Sequence, residues 1–174
     1  AIGASLNGFK PIVVHPRMDF MLYAMDPIVN QAAKWSHMTD GQSIPDVVIR
    51  AIINRGGQQG AQHSQALHAL FAHIPGLRVV MPYSVQDAYD LLIASSGTEC
   101  PVIYIDDRWL YETTAEIDTN GSVIDLNDVR PSKVCIGEDL TIVGAGYSVK
   151  LCVDAQQVLI GRDISCDVFD VRQV

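Results

Sequence analysis

Blocks of β-branched and apolar residues alternate along the chain with stretches whose apolar residues recur at helical spacing, and no other feature limits the fold as much. Residues 47–53 (VVIRAII), 77–81 (LRVVM) and 101–105 (PVIYI) are almost without a polar face, the pattern of strands covered on both sides. Residues 11–15 (PIVVH) predict a further short buried strand. Between these blocks, 19–35 carries apolar residues from Phe20 to Ala33 at helical intervals and predicts a long, largely buried helix bent near Pro27. Leu67, Leu70, Phe71 and Ile74 place another helix over 64–74, stopped by Pro75 and Gly76. Ser84-Val-Gln-Asp87 is a capping sequence opening a helix to about Ser95, and the chain starts inside a helix that ends at Gly8. The alternation implies an α/β fold, a three-layer αβα arrangement around a mostly parallel sheet. Its functional loops belong at the carboxyl ends of the strands.

From 112 to 138 the chain turns polar and turn-rich, with Thr119-Asn-Gly121 and Arg130-Pro131, and is expected to be a linker. A new strand at 140–146, a helix over about 147–160 and a strand at 164–171 then form the first βαβ of a second α/β domain. One βαβ is too little for a stable domain. The expected division is therefore 1–111, a linker at 112–138, and an incomplete unit at 139–174. Gly144-Ala-Gly146 between strand and helix allows a dinucleotide loop or simply a tight turn, and Val149 stands where close helix packing prefers a small residue.

Twelve Lys and Arg against twenty Asp and Glu give a formal net charge of -8, which argues against nucleic acid as a partner. No apolar run reaches the ~18 residues of a membrane span and no signal peptide opens the chain. A soluble cytoplasmic protein is the expectation. Cys100, Cys135, Cys152 and Cys166 form no C-x-x-C pair, so buried reduced thiols are expected rather than disulfides or zinc.

His63, His68 and His73 recur at five-residue intervals. Each interval turns a helix by about 140°, so they cannot share one face to bind a metal. His68 and His73 are expected to be ordinary helix residues. His63 differs because it lies where the glycine-rich loop RGGQQGAQ at 55–62 meets a helix expected to begin at Ser64. A helix amino end opposes added positive charge, which predicts a largely neutral imidazole able to exchange a proton. The residues alone leave this role and a capping role equally open.

The strings GAQHSQ at 60–65 and LFAHIPGLRVVMP at 70–82 resemble the beta subunit of thiamine diphosphate-dependent 2-oxo acid dehydrogenases, of the pyruvate, branched-chain and acetoin types. MDFMLYAMD at 18–26, IVNQAAK at 28–34, PVIYI at 101–105 and WLY at 109–111 are similar to the same family in the same order, over essentially the whole chain. The resemblance implies a transketolase-like pyrimidine-binding domain that holds the cofactor's aminopyrimidine. An alpha subunit holds the diphosphate through Mg²⁺, and a second beta subunit and a lipoyl-bearing acyltransferase are the other partners. Phe20 matches the aromatic residue against the aminopyrimidine, Tyr23 is a second pocket residue, and His63 matches the histidine that serves the substrate and the reductive acylation of the lipoyl group. From the residues alone Phe20 is helix core. The resemblance also implies K⁺ held by backbone carbonyls in segments matching Pro45, Val47 and Val48 and Ser95, Thr98 and Cys100. Two departures accompany it: the cofactor-activating glutamate would lie ahead of Ala1, and Gly57-Gln58 replaces a bulkier loop. The implication is a fragment of such a subunit, inactive alone. A non-catalytic module of the same fold, or a transketolase or deoxyxylulose-phosphate synthase, are the alternatives.

Overall fold

Burial on both faces forces the most β-branched run into the middle of a sheet, and strand β2 (Val48–Ile53) lies there, with β1 (Ile12–His15) on one side and β4 (Val102–Asp107) on the other. The computed structural model describes residues 1–56, 59–121 and 124–174. β3 (Arg78–Val80) completes a four-stranded sheet of order β1-β2-β4-β3 in which every pairing is parallel. All of β4 is buried. Ile49, Ala51, Ile53, Ile103 and Ile105 face a core with Met18, Met21, Ile28 and Phe71. Val48, Val102 and Tyr104 face the opposite core, with Leu91 and Ala94 of helix α4 (Val85–Gly97). These are the three layers expected from the alternation. The chain opens with helix α1 (Ile2–Ser5), and Ser84 caps α4 by accepting the Asp87 N–H at 3.0 Å.

Three elements differ from expectation. β1 is an edge strand, and Ile12 and Val14 are about half exposed rather than buried. The helix expected over 19–35 changes its winding: a 3₁₀ segment Met18–Ala24 gives way to a π segment Asp26–Ala32 and then to α2 (Trp35–Met38). Pro27 explains the break, since it donates no hydrogen bond and its ring collides with the preceding turn of an α-helix. Only one side of this segment is buried; Leu22 and Tyr23 face outward. The helix expected over 64–74 shrinks to α3 (His68–Ala72). Residues ahead of it are tethered sideways, the Gln65 N–H to Asp19 Oδ1 at 3.1 Å and the Leu67 N–H to Met18 Sδ at 3.3 Å.

The stretch 112–138 is more than a spacer. Leu126 is buried in the α4-side core, and β5 (Ser132–Cys135) pairs antiparallel with β7 (Cys166–Asp170). β6 (Leu140–Gly144) pairs parallel with β7 across helix α5 (Tyr147–Ile160), giving a second sheet of order β5-β7-β6. At Gly144-Ala-Gly146 the chain makes a tight turn in which Ser148 Oγ accepts the Ala145 N–H at 2.9 Å. Cys166 is buried, and the other three cysteines are half-buried; all four are free thiols.

The two sheets are joined along β3. Val80 bridges Gln173, the Met81 N–H reaches Arg172 O at 2.9 Å, and the Val174 N–H reaches Val79 O at 2.9 Å. Arg172 pairs with Asp87, and Asp170, 1% exposed, accepts the Arg172 N–H at 3.1 Å while its other oxygen has no partner. Burial pushes the Asp170 carboxyl up to about 6, against the pull of the Arg172 N–H bond and with a smaller push from the charge of Asp87. A carboxyl raised in the fold stabilises it most at low pH, and that contribution is lost as pH rises through about 6. Asp170→Asn keeps the Arg172 bond. It is expected to match the parent chain near pH 4 and to exceed it by on the order of 1–2 kcal/mol at pH 7.5, measured by thermal denaturation across pH.

Candidate functional site

Because β1 and β2 are parallel neighbours, the segments that leave them emerge at the same end of the sheet. Residues 17–23 and 59–67 then run against each other. Arg17 donates from Nε and Nη2 to Gln59 Oε1 at 3.1 and 2.8 Å, and Asp19 Oδ1 accepts from both the backbone and the side-chain amide of Gln65, at 3.1 and 2.8 Å. Between these ties the Phe20 ring meets the His63 imidazole edge-on, with centroids 5.1 Å apart and planes at 84°. Tyr23 lies nearly parallel to Phe20 at 6.2 Å. The structure thus brings together the three side chains expected from the sequence, Phe20, Tyr23 and His63.

Phe20 is 39% exposed and Tyr23 91% exposed, so neither is helix core. They form an open apolar surface to which a flat ring can stack. His63 closes a short 3₁₀ turn, Ala61–His63, and α3 begins only at His68. The helix amino end invoked for His63 is therefore not beside it, because the Gln65 and Leu67 tethers delay the helix. Nor does the ring cap a helix, since Nδ1 is buried without a hydrogen-bond partner. His68 is half-buried and its pKa is lowered by burial and by the nearby Arg55; His73 is exposed. Among the described residues no group of three His, Cys, Asp or Glu is placed to hold a metal ion.

The sequence reading missed Asp19 and Gln65. Asp19 is 5% exposed, and the one signal available was an acidic residue opening an apolar run, which reads equally well as an ordinary helix start. The departure at Gly57 and Gln58 lies outside the described residues. The segments assigned to K⁺ lie at the other end of the sheet, where Val48 and Val102 pair. Pro45, Val47, Val48 and Ser95 are buried and Thr98 and Cys100 half-buried. Val47 O already accepts the Val102 N–H at 3.0 Å. A separate cleft of about 280 Å³ opens on the α4 side, where Tyr104, Tyr111 and the Arg50–Asp106 ion pair contribute to its lining. Burial raises the Asp106 carboxyl against the opposing pull of Arg50.

A four-stranded, wholly parallel sheet covered by helices, with an aromatic pair and a histidine at the carboxyl ends of its strands, defines an α/β domain. Residues 1–113 match the family described as transketolase, pyrimidine binding domain, and the chain belongs to it. It is similar to the pyruvate dehydrogenase E1 component subunit beta of Rickettsia bellii (strain RML369-C), at 37% identity over 174 residues, covering 100% of this chain and 53% of the relative. It is also 37% identical over 172 residues to the acetoin:2,6-dichlorophenolindophenol oxidoreductase subunit beta of Cupriavidus necator, covering 99% of this chain and 50% of that one. These relatives are components of enzymes, and one from Oryza sativa is described as mitochondrial. The chain spans about half the length of the curated relatives it matches. Among solved structures, a split-gene transketolase described as an inactive beta4 tetramer superposes with a TM-score of 0.77 at 22% identity, over 98% of this chain and 52% of that one. A transketolase from Pichia stipitis gives 0.72 at 20% identity, over 95% of this chain and 23% of that one. Those two likenesses concern the fold. No helix among the described residues is long and apolar enough to cross a membrane.

Proposed function

We propose that the chain is part of the beta subunit of a thiamine diphosphate-dependent 2-oxo acid dehydrogenase of the cytoplasm, acting in oxidative decarboxylation with acyl transfer to a lipoyl group. The observation that carries this reading is the edge contact of His63 with the exposed ring of Phe20. An aminopyrimidine is a flat, neutral heteroaromatic, and the Phe20–Tyr23 surface fits it without burying a charge. When bound, the cofactor supplies the carbanion and the electron sink for decarboxylation. Phe20 and Tyr23 orient the ring and exclude water from one side of it. His63 holds or moves a proton at its imidazole for the substrate and the lipoyl acceptor.

In this reading an alpha subunit holds the diphosphate through Mg²⁺, a second beta subunit and a lipoyl-bearing acyltransferase complete the assembly, and this chain alone does not turn over. K⁺ is held at the far end of the sheet by the backbone of Pro45, Val47, Val48, Ser95, Thr98 and Cys100. A carbonyl has two lone pairs, so the ladder bond of Val47 leaves one for the ion.

The reading is tested by co-expressing the full-length subunit with its alpha partner and assaying thiamine diphosphate-dependent decarboxylation of pyruvate and branched-chain 2-oxo acids. Absence of turnover on every acid sinks it in favour of a non-catalytic module. In the active assembly, Phe20→Ala is expected to weaken the apparent affinity for the cofactor roughly tenfold, the worth of one well-placed aromatic contact. Phe20→Tyr should lose little.

A further inference from the structure

The loop that leads from β2 to His63 is anchored at its start by side chains that the chemistry above does not use. Arg55 pairs with Asp107 at the end of β4, and Asp107 also accepts the Trp109 backbone N–H at 3.1 Å. The Trp109 indole N–H donates to the Arg55 carbonyl. Tyr147, the first residue of α5 in the second unit, closes the group: its ring meets Trp109 edge-on at 5.2 Å, and the Arg55 guanidinium lies 5.2 Å from its centroid. Gly56, at φ +66, presses so closely on Trp109 that a Cβ there would overlap the indole. His63 follows Arg55 by eight residues, with Gln59 tied to Arg17 between them and the Asp19–Gln65 bonds holding the residues just after it, so the anchoring of Arg55 is one of the constraints that set where the imidazole sits.

We propose that Tyr147 and Trp109 are positioning residues that clamp the start of the His63 loop, so that the second unit controls the placement of the catalytic imidazole in the first. The arrangement favours aromatic rings over hydroxyls, because every contact Tyr147 makes in it is through the face or edge of its ring. The clamp's effect on turnover rests on the function proposed for His63; its effect on the loop does not.

The test uses the full-length subunit assembled with its alpha partner. Site-resolved carbethoxylation of His63 by diethyl pyrocarbonate, read by mass spectrometry, reports how accessible the imidazole is. Tyr147→Ala is expected to speed His63 labelling about threefold or more and to lower kcat about tenfold with KM unchanged. Tyr147→Phe should restore both values. Leu151→Ala, on the exposed side of the same helix, should change neither, which separates the clamp from general loosening of α5. Should Tyr147→Ala fail to assemble, Trp109→Leu gives the same two readouts. Unchanged labelling and unchanged kcat in a folded Tyr147→Ala variant overturn the proposal, as does failure of Tyr147→Phe to restore them. If His63→Ala itself leaves turnover normal, the proposed chemistry falls while the labelling still reports on the clamp.

Discussion

His63→Ala in the assembled full-length enzyme is expected to lower kcat by about 10²–10⁴, the usual worth of a positioned acid or base. Apparent affinity for thiamine diphosphate should change little, because the stacking surface belongs to Phe20 and Tyr23. The imidazole meets only the edge of that surface. The split between kcat and cofactor affinity is what distinguishes a proton-transfer role from a packing role. Loss of packing would weaken cofactor binding and kcat together. His73→Ala, at an exposed position at the end of α3, is the control and should match the parent enzyme. Steady-state kinetics on the best 2-oxo acid, with cofactor titrations for each variant, decide the matter. Normal turnover in His63→Ala would remove the imidazole from the mechanism.

The elements that local sequence could specify formed where expected, and the departures share one cause. β2 and β4 were legible because a run of β-branched residues has few alternatives to a doubly covered strand. The start of α4 was legible because a serine three residues before Asp87 is a local capping device. The helix over 64–74 was overestimated because the bonds that cut it short come from Met18 and Asp19, far away in sequence. Periodicity cannot register a sulfur or carboxylate arriving from another segment. The winding change around Pro27 was only half legible: proline marks a disturbance, but its form depends on what packs either side. The meeting of Phe20 with His63 was available only through the resemblance, since nothing in either segment's spacing requires it. The contact of Arg55 with Tyr147 had no signal at all; it joins two units that the sequence presents as separate.

In the turn between α3 and β3, Gly76→Ala is expected to be strongly destabilising. Gly76 has φ +98, and a Cβ built on it would overlap the carbonyl oxygen of Ala33 and lie 2.9 Å from the carbonyl carbon. Both obstacles are backbone, and Ala33 is held by the Ile28 carbonyl through a 3.0 Å bond that closes the π segment. The Lys34 ammonium also grips the Pro75 carbonyl at 2.7 Å, so the two segments cannot easily draw apart. Left-handed strain and overpacking therefore act together in Gly76→Ala, at a combined cost of roughly 3–4 kcal/mol. For a chain of this size that corresponds to a fall in Tm of about 10 °C. Gly3→Ala provides the contrast, because its Cβ meets nothing within 4 Å and its φ is not left-handed. Replacing a helical glycine there should leave Tm unchanged or raise it slightly. Parallel melts of the two variants separate a steric requirement at Gly76 from a general preference for glycine. A Tm for Gly76→Ala within 2–3 °C of the parent, less than the shift from about 1 kcal/mol, would mean that the helical segment and the turn do not pack as closely as these distances require.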